Sequence, residues 1–208
     1  MKMDNDLLQA LQTRIAAGEQ KAFEELYRLF AARLYSFALL YVQRKEISEE
    51  IVQDIMIKVW NKRETITSIK NLETYLFVAT RNHCLNHLST YSHSFISISD
   101  PQPGAEIITM HDPARELEWK EVHFRLTQAI EELPDQCKTV FKLIKEEGFR
   151  YKQVAEILNI STRTVETHLF RAIKKISSIV EVHREKQNTR KKNADFPLLS
   201  LLLTFLLP

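Results

Sequence analysis

Gly18 is the sole glycine before Gly104, and no proline precedes Pro101. Tight β turns draw heavily on both residues, so their scarcity leaves helices as the natural way to order the first hundred positions. The apolar spacing agrees. Phe23, Leu26, Tyr27, Phe30, Leu34, Phe37, Ala38 and Tyr41 recur every three or four residues, which is one stripe on a helix of about five turns. A second helix is predicted from Ser48 as N-cap, with Glu49 and Glu50 at its positive end and Ile51, Val52, Ile55 and Val59 facing inward. A third runs from about Asn71 to Leu88.

Between Ser89 and Met110 this periodicity stops and Ser, Pro and Gly accumulate, the composition of a flexible linker. Asp112 and Pro113 form a strong helix start. Trp119, Val122, Leu126, Ala129, Ile130 and Leu133 then make another stripe, and Pro134 separates it from a face of Cys137, Val140, Phe141 and Ile144 that Gly148 closes. The predicted fold is all-α: two small helical domains at 1–90 and 112–182, a flexible linker at 91–111, and a basic then apolar tail at 183–208. With 208 residues, 44% apolar and 27% charged, two small cores are affordable and a disordered or fibrous chain is excluded.

The stretch from 150 to 175 has the physical parts of a helix-turn-helix. Val154, Ala155 and Leu158 are the inner face of a short helix, Asn159 suits a positive φ in the turn, Ile160 plugs the angle and Ser161 caps the next helix. Val165, Leu169, Ala172, Ile173 and Ile176 form the buried face of that second helix. The opposite side carries Arg163, Thr164, Thr167, His168, Arg171 and Lys174, donors spaced to line a major groove. Charge placement fits. From Gly148 to Lys192 eleven Lys and Arg face four Glu, whereas Met1 to Glu147 is net acidic, so the C-terminal part is the one suited to a polyanion.

Cys84 and Cys137 are far apart in apolar-periodic stretches, with no CxxC pair and no secretion signal, and a reducing cytoplasm is expected. His83, Cys84 and His87 share part of a helix, but the acidic partner of an HExxH pattern and a third ligand are missing, so neither metal, cofactor nor catalytic residue is assigned. A response-regulator output domain would need an α/β receiver that residues 1 to 100 lack. The remaining alternative is a stand-alone helix-turn-helix transcription regulator.

The N-terminal half narrows that choice. SEEIVQDIMIKVWNKRE, from Ser48 to Glu64, resembles region 2.2 of bacterial sigma factors; AFEELYRLFAARLYSFALLYV resembles region 2.1 and NLETYLFVATRNHCLNHL regions 2.3 and 2.4. LPDQCKTVFKL and the helix-turn-helix resemble region 4. The likeness runs from Leu7 to about Ile176 without regions 1.1 and 3, as in the extracytoplasmic-function (ECF) class of the sigma-70 family. It implies a non-enzymatic subunit that directs RNA polymerase to promoters, with region 2 on the β′ clamp helices and the minus-10 element, region 4 on the minus-35 element, and the polymerase β subunit as a further partner. An anti-sigma factor is a further implied partner. Carried over by position, Gln53, Asp54, Ile57 and Trp60 match the polymerase-binding surface, and Lys70, Asn71 and Asn82 match positions near the melted strand. Trp60 equally suits a core, Asn82 a solvated helix face, and Tyr75 either a wedge or packing.

Two departures stand out. Asn86 and Ser89 replace the usual acidic and basic end of region 2.4, and Arg150 stands where relatives cap the first helix of the motif with Ser or Thr. The tail FPLLSLLLTFLLP holds nine Leu or Phe in thirteen residues, short of the ~20 needed to span a bilayer. It is expected to dock on this chain or a partner, with no stable membrane insertion.

Overall fold

The computed structural model describes residues 5–91 and 124–188, which form helices joined by short turns and irregular connections. Residues 92–111 of the predicted linker, the Asp112–Pro113 helix start and the apolar tail lie outside these residues, whereas Tyr91 is helical and the last helix runs to Asn188, into the stretch assigned to the basic tail. Eight α-helices occur among those described: α1 (Asn5–Ala16), α2 (Gln20–Val42), α3 (Lys45–Asn61), α4 (Leu72–Tyr91), α5 (helical over 124–131), α6 (Asp135–Lys145), α7 (Tyr151–Leu158) and α8 (Thr162–Asn188). A 3-10 helix, Arg63–Ser68, follows α3. The chain divides into two compact units, 1–102 with 147–162, and 103–146 with 163–208.

In the first unit α2 buries Ala22, Leu26, Phe30, Leu34, Phe37, Ala38 and Val42; of the predicted stripe, Tyr27 is exposed and Phe23 and Tyr41 are half-buried. Leu26, Phe30 and Leu34 are fully enclosed, as are Leu76 and Phe77 of α4. Phe77 tilts against Phe37 at 5.0 Å and meets Phe149 edge-on at 4.9 Å. Both separations suit edge or tilted aromatic contacts. Arg33 lies beside this cluster, its guanidinium 5.2 Å from the Phe30 ring and 5.5 Å from that of Phe77. It donates to Glu73 and to Glu147, each at 2.6 Å.

Two features differ from the sequence expectation. Ser48 is not an N-cap. Helix α3 starts a turn earlier at Lys45 because burying Ile47 rewards the extension, and the enclosed Ser48 hydroxyl donates to Arg44 O at 2.8 Å. Helix α1 adds Leu8, Leu11 and Ile15 to the core. Its buried Gln12 ties the 3-10 turn in place by donating to Ile66 O at 2.7 Å and Ile69 O at 2.9 Å, the first of which also accepts from Ile69 N at 3.1 Å.

Cys84 is fully enclosed, and burial pushes its thiol up to about 12. The reactive thiolate is therefore withheld. Iodoacetamide at pH 8 is expected to leave Cys84 unlabelled in the native chain and to label it in denaturant, as peptide mass spectrometry will show; rapid native labelling would mean that the α2–α4 core opens readily.

The second unit is built on Ala129, Ile130, Leu133, Cys137, Val140, Phe141 and Leu143, with Val165, Leu169, Ala172 and Ile176 of α8. Helix α6 opens with Asp135 and closes with Lys142 and Lys145, charges that complement its dipole. Burial alone would raise the Glu131 carboxyl, but Lys138 and Lys142, each at 3.0 Å, outweigh that and hold it below the usual carboxylate range.

Candidate nucleic-acid interface

The turn before α8 takes the predicted form. Asn159 adopts the left-handed conformation at φ 51°, ψ 50°, and its amide donates to Glu156 O, while Ile160 N donates to Ala155 O at 3.0 Å. Asparagine tolerates this conformation better than most residues. Ser161 stands immediately before the first residue of α8. At the other end of α7 the capping departure is compensated. Gln153, rather than residue 150, supplies the polar side chain: its Oε1 accepts from Arg150 N at 3.1 Å, the reciprocal half of a capping box.

Arg163, Thr167, Arg171 and Lys174 are exposed along α8, at spacings of four, four and three. Thr164 and His168 are half-buried on the flank of that face. His168 Nδ1 lies 3.5 Å from the Cys137 thiol, in a cleft that Pro134, Gln136, Arg171 and Lys175 also line. Thr167 spends its hydroxyl proton on Arg163 O at 2.9 Å, leaving oxygen lone pairs toward solvent. Sequence reasoning missed one residue. Phe170 is 67% exposed, the most exposed large apolar side chain among those described. It follows Thr167 by three residues, on the face of the donors, and is out of register with the buried series Val165, Leu169, Ala172, Ile176. That mismatch was the readable signal.

In the first unit Tyr75 and Asn82 are exposed on one stripe of α4, with the exposed Lys70 and Asn71 just before its first residue. Asn71 is also a helix cap, its Oδ1 accepting from Thr74 N at 3.0 Å. Asn82 Oδ1 accepts from Arg81 at 3.4 Å. On α3, Gln53, Asp54 and Ile57 are exposed, and Ile57 is 56% accessible. Trp60 is half-buried between Phe23, at 5.1 Å, and the Arg63 guanidinium, 5.0 Å from its ring. Its packing role is therefore substantial, and only part of the indole is left for a partner. Lys58 contacts His83. Burial and that neighbouring cation lower the His83 pKa, against the smaller pull of Asp54.

An acidic-apolar surface on α3, an amide-aromatic stripe on α4 and a basic face on α8 thus occur on one chain, in that order. The family description "Sigma-70 region 2" matches residues 26–93, and "Sigma-70, region 4" matches 123–176, together more than half of the chain. The chain belongs to the sigma-70 family. Among its relatives, the ECF RNA polymerase sigma-E factor of Haemophilus influenzae is 26% identical over 180 residues, covering 83% of this chain and 95% of that one. The ECF RNA polymerase sigma factor SigM of Bacillus subtilis is 26% identical over 157 residues, covering 75% and 93%. The sigma-70 fold recurs in the sigma factor RpoE of Bartonella quintana, solved with the anti-sigma factor NepR, at a TM-score of 0.57 and 21% identity, over 78% of this chain and 98% of that one. CnrH, solved with the cytosolic domain of CnrY, gives 0.54 and 20%, over 86% and 99%. This sigma-70 chain is of the ECF class, and a region 2 match before the helix-turn-helix disfavours a stand-alone regulator. Among the described residues no helix is long and apolar enough to cross a membrane, and no group of three metal-ligating side chains is placed to hold an ion.

Proposed function

We propose that this ECF sigma factor binds core RNA polymerase through the α3 face and carries the enzyme to promoters read by α4 and α8, without catalysing a reaction itself. The observation that carries the reading is the pairing of region 2 with region 4, each with its contact face exposed. Gln53, Asp54 and Ile57 supply the polymerase surface, with the exposed edge of Trp60 beside them. Lys70, Asn71 and Asn82 serve the melted minus-10 strand, where an amide reads a base edge and a lysine holds phosphate. Arg163, Thr167, Arg171 and Lys174 serve the minus-35 duplex, and Thr164 and His168 its edge. The working compartment is the cytoplasm, where polymerase and promoter are. An anti-sigma factor is the expected regulator, as the two structural relatives have such partners or a cytosolic protein domain bound. Mixed with core polymerase, the chain should co-elute with it in gel filtration; separate elution at micromolar concentrations counts against the assignment.

Phe170 adds a sequence preference to this reading. An exposed ring on a major-groove face is suited to a thymine methyl. Replacing the minus-35 thymines one at a time by deoxyuridine should weaken binding at one position by roughly fourfold, the worth of one methyl at about 0.8 kcal/mol. Phe170→Ala should bind both duplexes alike. An equal methyl effect in wild type and Phe170→Ala places the ring off the base edges.

A further inference from the structure

Cys137 and His168 stand 31 residues apart in the chain and meet within the second unit, Sγ to Nδ1 at 3.5 Å. Cys137 belongs to the first turn of α6 and is buried, whereas His168 is half-buried on α8 at the edge of the basic face. Both line one cleft with Asp135, Gln136, Arg171 and Lys175. Burial raises the Cys137 thiol pKa, against the smaller opposite pull of Arg171. The side chain therefore rests as a thiol, and chemistry that needs a free thiolate is withheld. A metal ion is different, because coordination itself removes the thiol proton.

The geometry suits one kind of ion. In a tetrahedral zinc site, bonds of about 2.3 Å to sulfur and about 2.05 Å to imidazole nitrogen put the two donor atoms about 3.5 Å apart. That is the separation already present between Sγ and Nδ1. Each donor stands on a helix rather than a loop, so little rearrangement is needed. The neighbouring charges then select among cations. Arg171 and Lys175 repel any ion held by charge alone, although Lys175 also donates to Glu132 O. Magnesium and calcium, which take oxygen donors, gain little here to offset that repulsion. A thiophilic ion does gain, through thiolate and imidazole. Asp135 and Gln136 are exposed on the cleft and offer oxygen donors for the remaining positions.

We propose that Cys137 and His168 form a binding site for a thiophilic divalent metal of the zinc class, which cross-links α6 to the helix assigned to the minus-35 element. On binding, the thiol proton leaves to solvent, and sulfur and Nδ1 each share a lone pair with the ion; no electron is transferred. The imidazole proton then resides on Nε2, and the unit gains one positive charge, the metal's two less the proton released. Two protein ligands make the site exchangeable, unlike structural zinc sites with their four. It depends only on the placing of Cys137 beside His168, whatever α8 reads.

Cobalt(II) is the probe, since it accepts the same tetrahedral donors as zinc and a thiolate ligand gives it a charge-transfer band that histidine alone does not. The full, reduced chain is expected to develop this band and saturate at a single equivalent, to lose it to excess zinc and to keep it in excess magnesium. Cys137→Ser, which retains the enclosed Cys84, should abolish the band. His168→Gln should weaken cobalt binding by more than about tenfold, the least that losing even an outer partner of a metal ligand costs. Zinc should also raise the melting temperature of wild type more than that of Cys137→Ser, because an ion bound to the folded state stabilises it. Should Cys137→Ser fail to fold, Cys137→Ala, which buries no hydroxyl, takes its place. No band in wild type, an equal band or an equal zinc-induced shift in the Cys137 variant, or wild-type cobalt affinity in His168→Gln overturns the site.

Discussion

Asp54→Arg is expected to lower affinity for core RNA polymerase by about two orders of magnitude while leaving the fold intact. Asp54 is exposed in the middle of α3, between Gln53 and Ile57, and the buried Ile51, Val52, Ile55 and Met56 hold that helix from the other side. The substitution therefore spares the core, and exposed replacements of this kind stay within about 0.5 kcal/mol of wild-type stability. At a contact with a basic partner surface, reversing the charge turns an attraction into a like-charge clash costing several kcal/mol, with 1.4 kcal/mol for each factor of ten. Fluorescence anisotropy of labelled chain with core enzyme, beside a thermal melt, separates the two effects. Unchanged polymerase affinity in a folded Asp54→Arg protein moves the contact surface off α3.

Arg171→Ala is expected to cost about 1 to 3 kcal/mol in promoter binding and to relax preference at one or two minus-35 positions, the effect of losing a bidentate base contact. Arg171 is exposed on the same face as Arg163, Thr167 and Phe170, while Leu169 and Ala172 on either side anchor the helix in the second unit. A purely phosphate-directed arginine gives a different pattern: equal weakening on every sequence and a salt slope shallower by about one. Binding measured on the consensus and on single-base variants at two salt concentrations distinguishes them. An Arg171→Ala protein with neither change has its arginine off the DNA.

The particular residues show why some of this was legible in the sequence. The α2 stripe, the positive φ of Asn159 and the exposed donors of α8 follow from local rules that one short window contains: apolar period, turn chemistry and charge. The start of α3 does not, since Ser48 has every local mark of a cap and is overruled by the burial of Ile47, which only the neighbouring helices reward. Trp60 stayed two-sided for the same reason; Phe23 and Arg63, which flank it, converge on it only in three dimensions. The attachment of Glu147 to Arg33, 114 residues away, left no periodic trace at all. Phe170 was legible too, since its position falls out of register with the buried Val165, Leu169, Ala172 and Ile176.

Reconstituted transcription tests the central claim most directly. Core RNA polymerase with this chain, given a randomised promoter library, should produce transcripts whose templates share two sequence elements about 25 base pairs apart, and Asp54→Arg should remove them. Initiation no different from that of core polymerase alone, with wild-type chain in excess, would contradict the account.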